Sequence, residues 1–125
     1  MGGMGFIMSN HDVILQNNLR IGLNLLASAT KHGVKKFFFA SSACIYPDYR
    51  QLEVDVPALK EEDAWPSDLR SNAYGLEKLV MEEACKWTAN ANKDFQIRIG
   101  RFRKLPHCPG LNSMKLCSYW FLICR

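Results

Sequence analysis

Tyr74 and Lys78 lie four residues apart in a segment patterned as a helix. That is about one turn, so both side chains leave the same face. A phenol with an ordinary pKa of about 10 is a poor base near neutrality, but a neighbouring ammonium favours its phenolate. The pair is therefore a candidate for proton transfer, although the same spacing also occurs on solvated helix faces. A second group lies upstream, where the apolar run at 37–40 ends in Ser41, Ser42, Ala43 and Cys44. Ser42 offers a hydroxyl able to orient an oxygen. The thiol of Cys44, with an ordinary pKa of about 8.5, is closer to neutrality than a serine hydroxyl and could exchange a proton with a carbon acid. A free cysteine otherwise serves as a small buried apolar residue, and Cys85, Cys108, Cys117 and Cys124 are read that way.

These residues need elements to position them. Ser9 or Asn10 caps a helix running to about residue 32, with Gly33 as its stop. Val13, Ile14, Leu19, Leu23, Leu26 and Thr30 form its apolar stripe, which Gly22 weakens slightly. The aromatic run at 37–40 suits a strand buried on both faces, with polar groups emerging at its carboxyl end. Open α/β sheets bind ligands at that end. Residues 46–72, with Pro47, Pro57 and Pro66, read as a long surface loop. A second helix spans about 73–87, with Leu76, Leu79, Val80, Ala84 and Trp87 assigned to packing and Glu82, Glu83 and Lys86 to solvent. Residues 88–93 read as a turn and 95–100 as the next strand, an alternation that predicts a parallel α/β sheet. Met1-Gly2-Gly3-Met4-Gly5 holds no complete phosphate-binding glycine motif and reads as a flexible start, and Asn18 as a structural hydrogen-bonding residue.

Ser42-Ala43-Cys44-Ile45-Tyr46-Pro47 and Ala73-Tyr74-Gly75-Leu76-Glu77-Lys78-Leu79 together resemble the extended short-chain dehydrogenase/reductase family, and within it the GDP-mannose 3,5-epimerases. The resemblance covers residues 1–102 and implies a partial NAD-dependent epimerase/dehydratase domain there, leaving 103–125 a divergent tail without an assigned domain. It implies a partial Rossmann-like, doubly wound parallel sheet, NAD as cofactor, and GDP-mannose epimerised at C3 and C5 through a 4-keto intermediate. In that scheme Tyr74 is base and then acid at the 4-hydroxyl. Lys78 lowers its pKa and binds the nicotinamide ribose, Ser42 orients the 4-oxygen, and Cys44 exchanges protons at the sugar carbons opposite a lysine. Gly2 and Gly3 match a loop over the sugar nucleotide, so the implied substrate contacts are Gly2, Gly3, Ser42, Ala43, Cys44 and Tyr74.

The same resemblance sets the glycine-motif strands before Met1, and the second lysine and the C-terminal substrate domain after the divergence. The chain is accordingly expected to be a truncated homologue, inactive by itself. Two further readings stay open. One is a GDP-4-keto-6-deoxymannose epimerase/reductase of the GDP-fucose synthase type, which shares the Ser-x-Cys-Ile-Tyr-Pro pattern and the Tyr–Lys pair. The other is a non-catalytic module docking on full-length subunits. Members of the family dimerise through helices, so a homodimer is implied, as is a place in ascorbate and cell-wall sugar supply.

Composition bounds the rest. The chain has 125 residues, 48% hydrophobic and 22% charged, which suits one soluble globular domain. Its net charge of +4 is uneven, since no Asp or Glu follows Asp94 while Arg98, Arg101, Arg103, Lys104, Lys115 and Arg125 do. Those bases are scattered and form no nucleic-acid-binding module. The five cysteines show no zinc spacing, and their odd number without a secretory signal favours reduced thiols and a cytoplasmic location. The apolar run at 119–124 is far shorter than the roughly 20 residues a membrane helix requires.

Overall fold

The computed structural model describes residues 4–47, 60–64, 72–102 and 122–124. A short helix, α1 (Met4–Ser9), stands where a flexible start was expected, and its end is closed by Ser9 Oγ donating to the Gly5 carbonyl at 2.9 Å. Helix α2 (His11–Lys31) follows. The Asn10 side chain does not cap it, because its Nδ2 donates to the Phe6 carbonyl at 2.9 Å. At the other end Gly33 takes a φ of 67°, open mainly to glycine, while Gly33 N and Val34 N donate to the Thr30 and Ala29 carbonyls. This Schellman closure turns the chain sharply into the sheet.

Strand β1 (Lys36–Ser42) runs into a 3₁₀ turn (Ala43–Ile45), and a second 3₁₀ turn (Glu61–Ala64) follows. Helix α3 (Ala73–Ala91) crosses to β2 (Gln96–Phe102), which lies parallel to β1 with Lys36 opposite Gln96 and Ser42 opposite Phe102. A parallel pair needs such a crossover, so the helix bearing Tyr74 and Lys78 is the link that makes this sheet possible. Strand β3 (Leu122–Cys124) adds antiparallel to β2, giving the order β1-β2-β3. It comes from a segment in which the sequence shows no periodicity. The helix and strand arrangement is that of a partial Rossmann-like α/β unit.

Leu26 and Ala29 of α2, Met81 and Cys85 of α3, and Phe95, Ile97 and Ile99 form one core cluster. A second, at the carboxyl end of β1, gathers Ala43, Ile45, Tyr46, Ala64 and Leu79. Full burial of an Ile45 or Leu79 side chain contributes roughly 1.5–3 kcal/mol. Gly22 lets the two long helices meet, since a Cβ there would stand 2.8 Å from the Met81 thioether. Four sequence expectations are corrected. The strand at 37–40 is not buried on both faces: Phe37 and Phe39 turn toward the helices, while Phe38 is 48% exposed. Helix α3 continues through the expected turn to Ala91, its end held by Thr88 Oγ1 on the Ala84 carbonyl and Asn92 N on the Thr88 carbonyl. Val80 and Trp87 of the assumed packing stripe are exposed, Trp87 by 72%, and so are Val13 and Leu23 of α2. Glu82, assigned to solvent, is fully buried.

Candidate active site

The carboxyl end of β1 and the first turn of α3 meet through Asn72. Its Oδ1 caps α3 by accepting from Gly75 N at 2.9 Å, and its Nδ2 donates to the Cys44 carbonyl at 3.2 Å. One side chain thus satisfies a helix end and fixes the 3₁₀ turn beside it. The approach is close enough that a Cβ on Gly75 would lie within 2.3 Å of the Cys44 carbonyl oxygen. Ser42 Oγ in turn accepts from Cys44 N at 3.2 Å and caps the 3₁₀ turn.

Four of the residues singled out from the sequence come together here. Tyr74 lies close enough to the Ser42 side chain and to Cys44 for both to act on its hydroxyl. Lys78 Nζ lies over the Tyr74 ring at 5.5 Å from its centroid and over the Phe39 ring at 5.2 Å. Ala43 is buried in the intervening turn. Gly2 and Gly3 lie outside the described residues. Asn18, expected to be structural, donates from Nδ2 to Glu77 Oε2 at 3.1 Å.

The electrostatics depart from one expectation. Tyr74 sits above its ordinary pKa: burial raises it most, the polar Ser42 side chain opposes, and Cys44 and Glu77 raise it further. The lowering expected from Lys78 is not the outcome in this arrangement. The Lys78 ammonium stands 3.6 Å from Glu77 Oε1, and that carboxylate answers its charge. Glu77 itself is raised, by burial first, with Lys78 and Asn18 pulling the other way. Nothing in the local pattern marks Glu77, since its burial comes from the contacts of α3 with α2 and not from its place in the helix.

Behind the site lies a network that the sequence reading also missed. Arg101 Nε and Nη2 donate to Glu82 Oε1 and Oε2 at 3.0 and 2.7 Å, and Nη1 donates to Tyr46 Oη at 2.9 Å and to the Glu61 carbonyl at 3.0 Å. Ser41 Oγ donates to Glu82 Oε1 at 2.5 Å. Burial alone would lower the Arg101 pKa, but Glu82 and Tyr46 reverse the direction and hold its charge. A signal was available: Arg98 and Arg101, three apart in a strand, must face opposite ways, so one turns inward with Ile97 and Ile99. Cys85, in the core, is pushed up to about 11 by burial and by Glu82, which suits its reading as an inert apolar residue.

Among the described residues no group of His, Cys, Asp and Glu could hold a metal ion, and no helix is long and apolar enough to cross a membrane.

Residues 2–105 match the family model for the NAD dependent epimerase/dehydratase family. The chain is 56% identical over 107 residues to a GDP-mannose 3,5-epimerase of Arabidopsis thaliana, covering 84% of this chain and 27% of that protein. It is 57% identical, with the same coverage, to GDP-mannose 3,5-epimerase 1 of Oryza sativa subsp. japonica. GDP-L-fucose synthase 1 of Arabidopsis thaliana is 33% identical over 69 residues, which are 55% of this chain and 20% of that protein. The chain spans about a quarter of the length of the curated relatives it matches.

Proposed function

Because the chain belongs to the NAD dependent epimerase/dehydratase family, we propose that Ser42, Cys44, Tyr74 and Lys78 are the proton-transfer part of a site that epimerises GDP-mannose at C3 and C5. The observation that carries this reading is the Lys78 ammonium over the Tyr74 ring at 5.5 Å, with Ser42 and Cys44 near enough to act on the same phenol. Tyr74 takes the proton of the sugar 4-hydroxyl and later returns it, and Ser42 holds the same oxygen in line. When bound, NAD supplies reversible redox chemistry at C4, and Tyr74 and Lys78 are the residues of this chain that would hold its nicotinamide ribose. Once C4 is a ketone, the protons on C3 and C5 become acidic, and Cys44 is the group placed to exchange them. Its reach is supported by partial exposure, in contrast to the core position of Cys85. Gly2, Gly3 and the Ala43 turn complete the substrate contacts in this proposal.

The 56–57% identities to 3,5-epimerases, against 33% to a GDP-L-fucose synthase, favour epimerisation over net reduction. The proposal extends to a homodimer formed through α2 and α3, on which the large apolar Ile21, Leu25 and Trp87 are exposed. It also extends to a cytoplasmic setting and to ascorbate and cell-wall sugar supply, in keeping with the free Cys44 and Cys85.

The test is a graft. The 107 matched residues replace their counterparts in the Arabidopsis relative, and the product is incubated with GDP-mannose and NAD in deuterated water. Epimers labelled at C3 and C5 are expected. Tyr74→Phe should lower turnover by at least about 100-fold, and Cys44→Ala should remove label uptake while leaving C4 oxidation. A graft that folds but yields no epimer overturns the reading.

A further inference from the structure

Glu77 is a buried carboxylate for which the proposed reaction has no use. Only 2% of it is exposed, yet both of its oxygens are engaged, Oε1 with Lys78 at 3.6 Å and Oε2 with Asn18 at 3.1 Å. Consecutive helical residues point about 100° apart and do not ordinarily meet. The Glu77–Lys78 contact therefore requires both side chains to lean together, and Asn18, reaching across from α2, holds the carboxylate in that pose. Lys78 is left with an anion on one side and the Phe39 and Tyr74 rings on the others, at 5.2 and 5.5 Å from their centroids. An ammonium confined by two aromatic faces and one carboxylate has little freedom to relocate.

We propose that Glu77, braced by Asn18, is a positioning residue that sets where the Lys78 charge stands relative to Tyr74, and so tunes the acid–base pair of the site. This deepens the epimerase reading and rests on it for its catalytic meaning. The groups acting on the Tyr74 hydroxyl are Ser42 from β1, Cys44 from the 3₁₀ turn and Glu77 from α3, with Lys78 over the ring and Asn18 of α2 reaching it through Glu77. Removing the Glu77 charge takes an anion from the neighbourhood of the phenol and leaves the Lys78 charge unanswered. Both changes favour the phenolate.

The experiment follows the Tyr74 ring and the Lys78 ammonium by NMR titration of the full 125-residue chain with labelled tyrosine and lysine, without substrate or coenzyme. Glu77→Gln keeps size and an oxygen for Asn18, and is expected to move the Tyr74 midpoint to lower pH; Glu77→Asp should bring it back toward the wild-type value. Asn18→Ala leaves the charge but loosens it, and is expected to shift Tyr74 in one direction and alter the Lys78 resonance. It also decides the matter should the Gln variant fail to fold. A Tyr74 midpoint indifferent to Glu77→Gln, or to Asn18→Ala where that variant alone folds, overturns the proposal. Because no turnover is read, this outcome is separate from the graft assay, in which the epimerase reading stands or falls.

Discussion

At the scale of single residues, the site depends on an atom that is missing and a charge that is hidden. Gly75 sits in the first turn of α3, where exchange for alanine would ordinarily stabilise a helix by up to about 1 kcal/mol. Here the added Cβ would fall within 2.3 Å of the Cys44 carbonyl oxygen, and backbone on both sides must part. The steric term wins: Gly75→Ala should cost about 1–3 kcal/mol in urea denaturation and loosen the Asn72 bridge to the Cys44 turn. For Glu77 the sign follows from its raised pKa. The folded state holds the proton more tightly than the unfolded chain, so protonation contributes stability that is present below the ordinary value of about 4 and lost as pH rises through the folded pKa. Glutamine does not titrate. Glu77→Gln should therefore gain stability relative to wild type between pH 4 and pH 7, measured by denaturation at both values.

At the scale of elements, the buried pair of Arg101 and Glu82 ties β2 to α3, and through Ser41, Tyr46 and the Glu61 carbonyl it reaches β1 and both 3₁₀ turns. Truncating one partner strands the other's charge, so Glu82→Ala and Arg101→Ala are each expected to cost about 3–5 kcal/mol. Replacing both together with apolar residues of similar volume should cost clearly less than the sum, which a double-mutant cycle in urea would read. These elements also mark what the sequence could convey. The first helix, both parallel strands and the second helix were legible because glycine stops, aromatic runs and apolar spacing are local signals. The meeting of Ser42, Cys44, Tyr74 and Lys78 was legible through motif spacing alone. Glu82 was not, since nothing local separates it from Glu83; partners distant in sequence, Arg101 in β2 and Ser41 in β1, draw it inward. Likewise Val80 and Trp87 continue the apolar spacing of this helix but point outward, because the arc holding Leu79, Met81, Glu82 and Cys85 faces the sheet and α2.

Over the whole molecule, the helix layer covers one face of the sheet and leaves large apolar side chains of its own exposed, Ile21 by 65% and Trp87 by 72%. The homodimer proposed above would bury such side chains. Ile21→Lys combined with Trp87→Lys is expected to shift the chain toward monomer in sedimentation equilibrium, and an unchanged mass would count against α2 and α3 as the contact. Sheet order carries a different consequence, one of time. Tyr46 and Arg101 are 55 residues apart, and β1 gains its parallel partner only after the chain has passed through α3 and returned. Local helical turns form within about a microsecond, whereas pairing across so long a loop must first overcome its closure entropy. Tyr74 and Lys78 thus become neighbours early, on one helix. Ser42 and Cys44 reach their final setting only when β2 docks, so the site is among the last parts of the molecule to exist each time the chain folds.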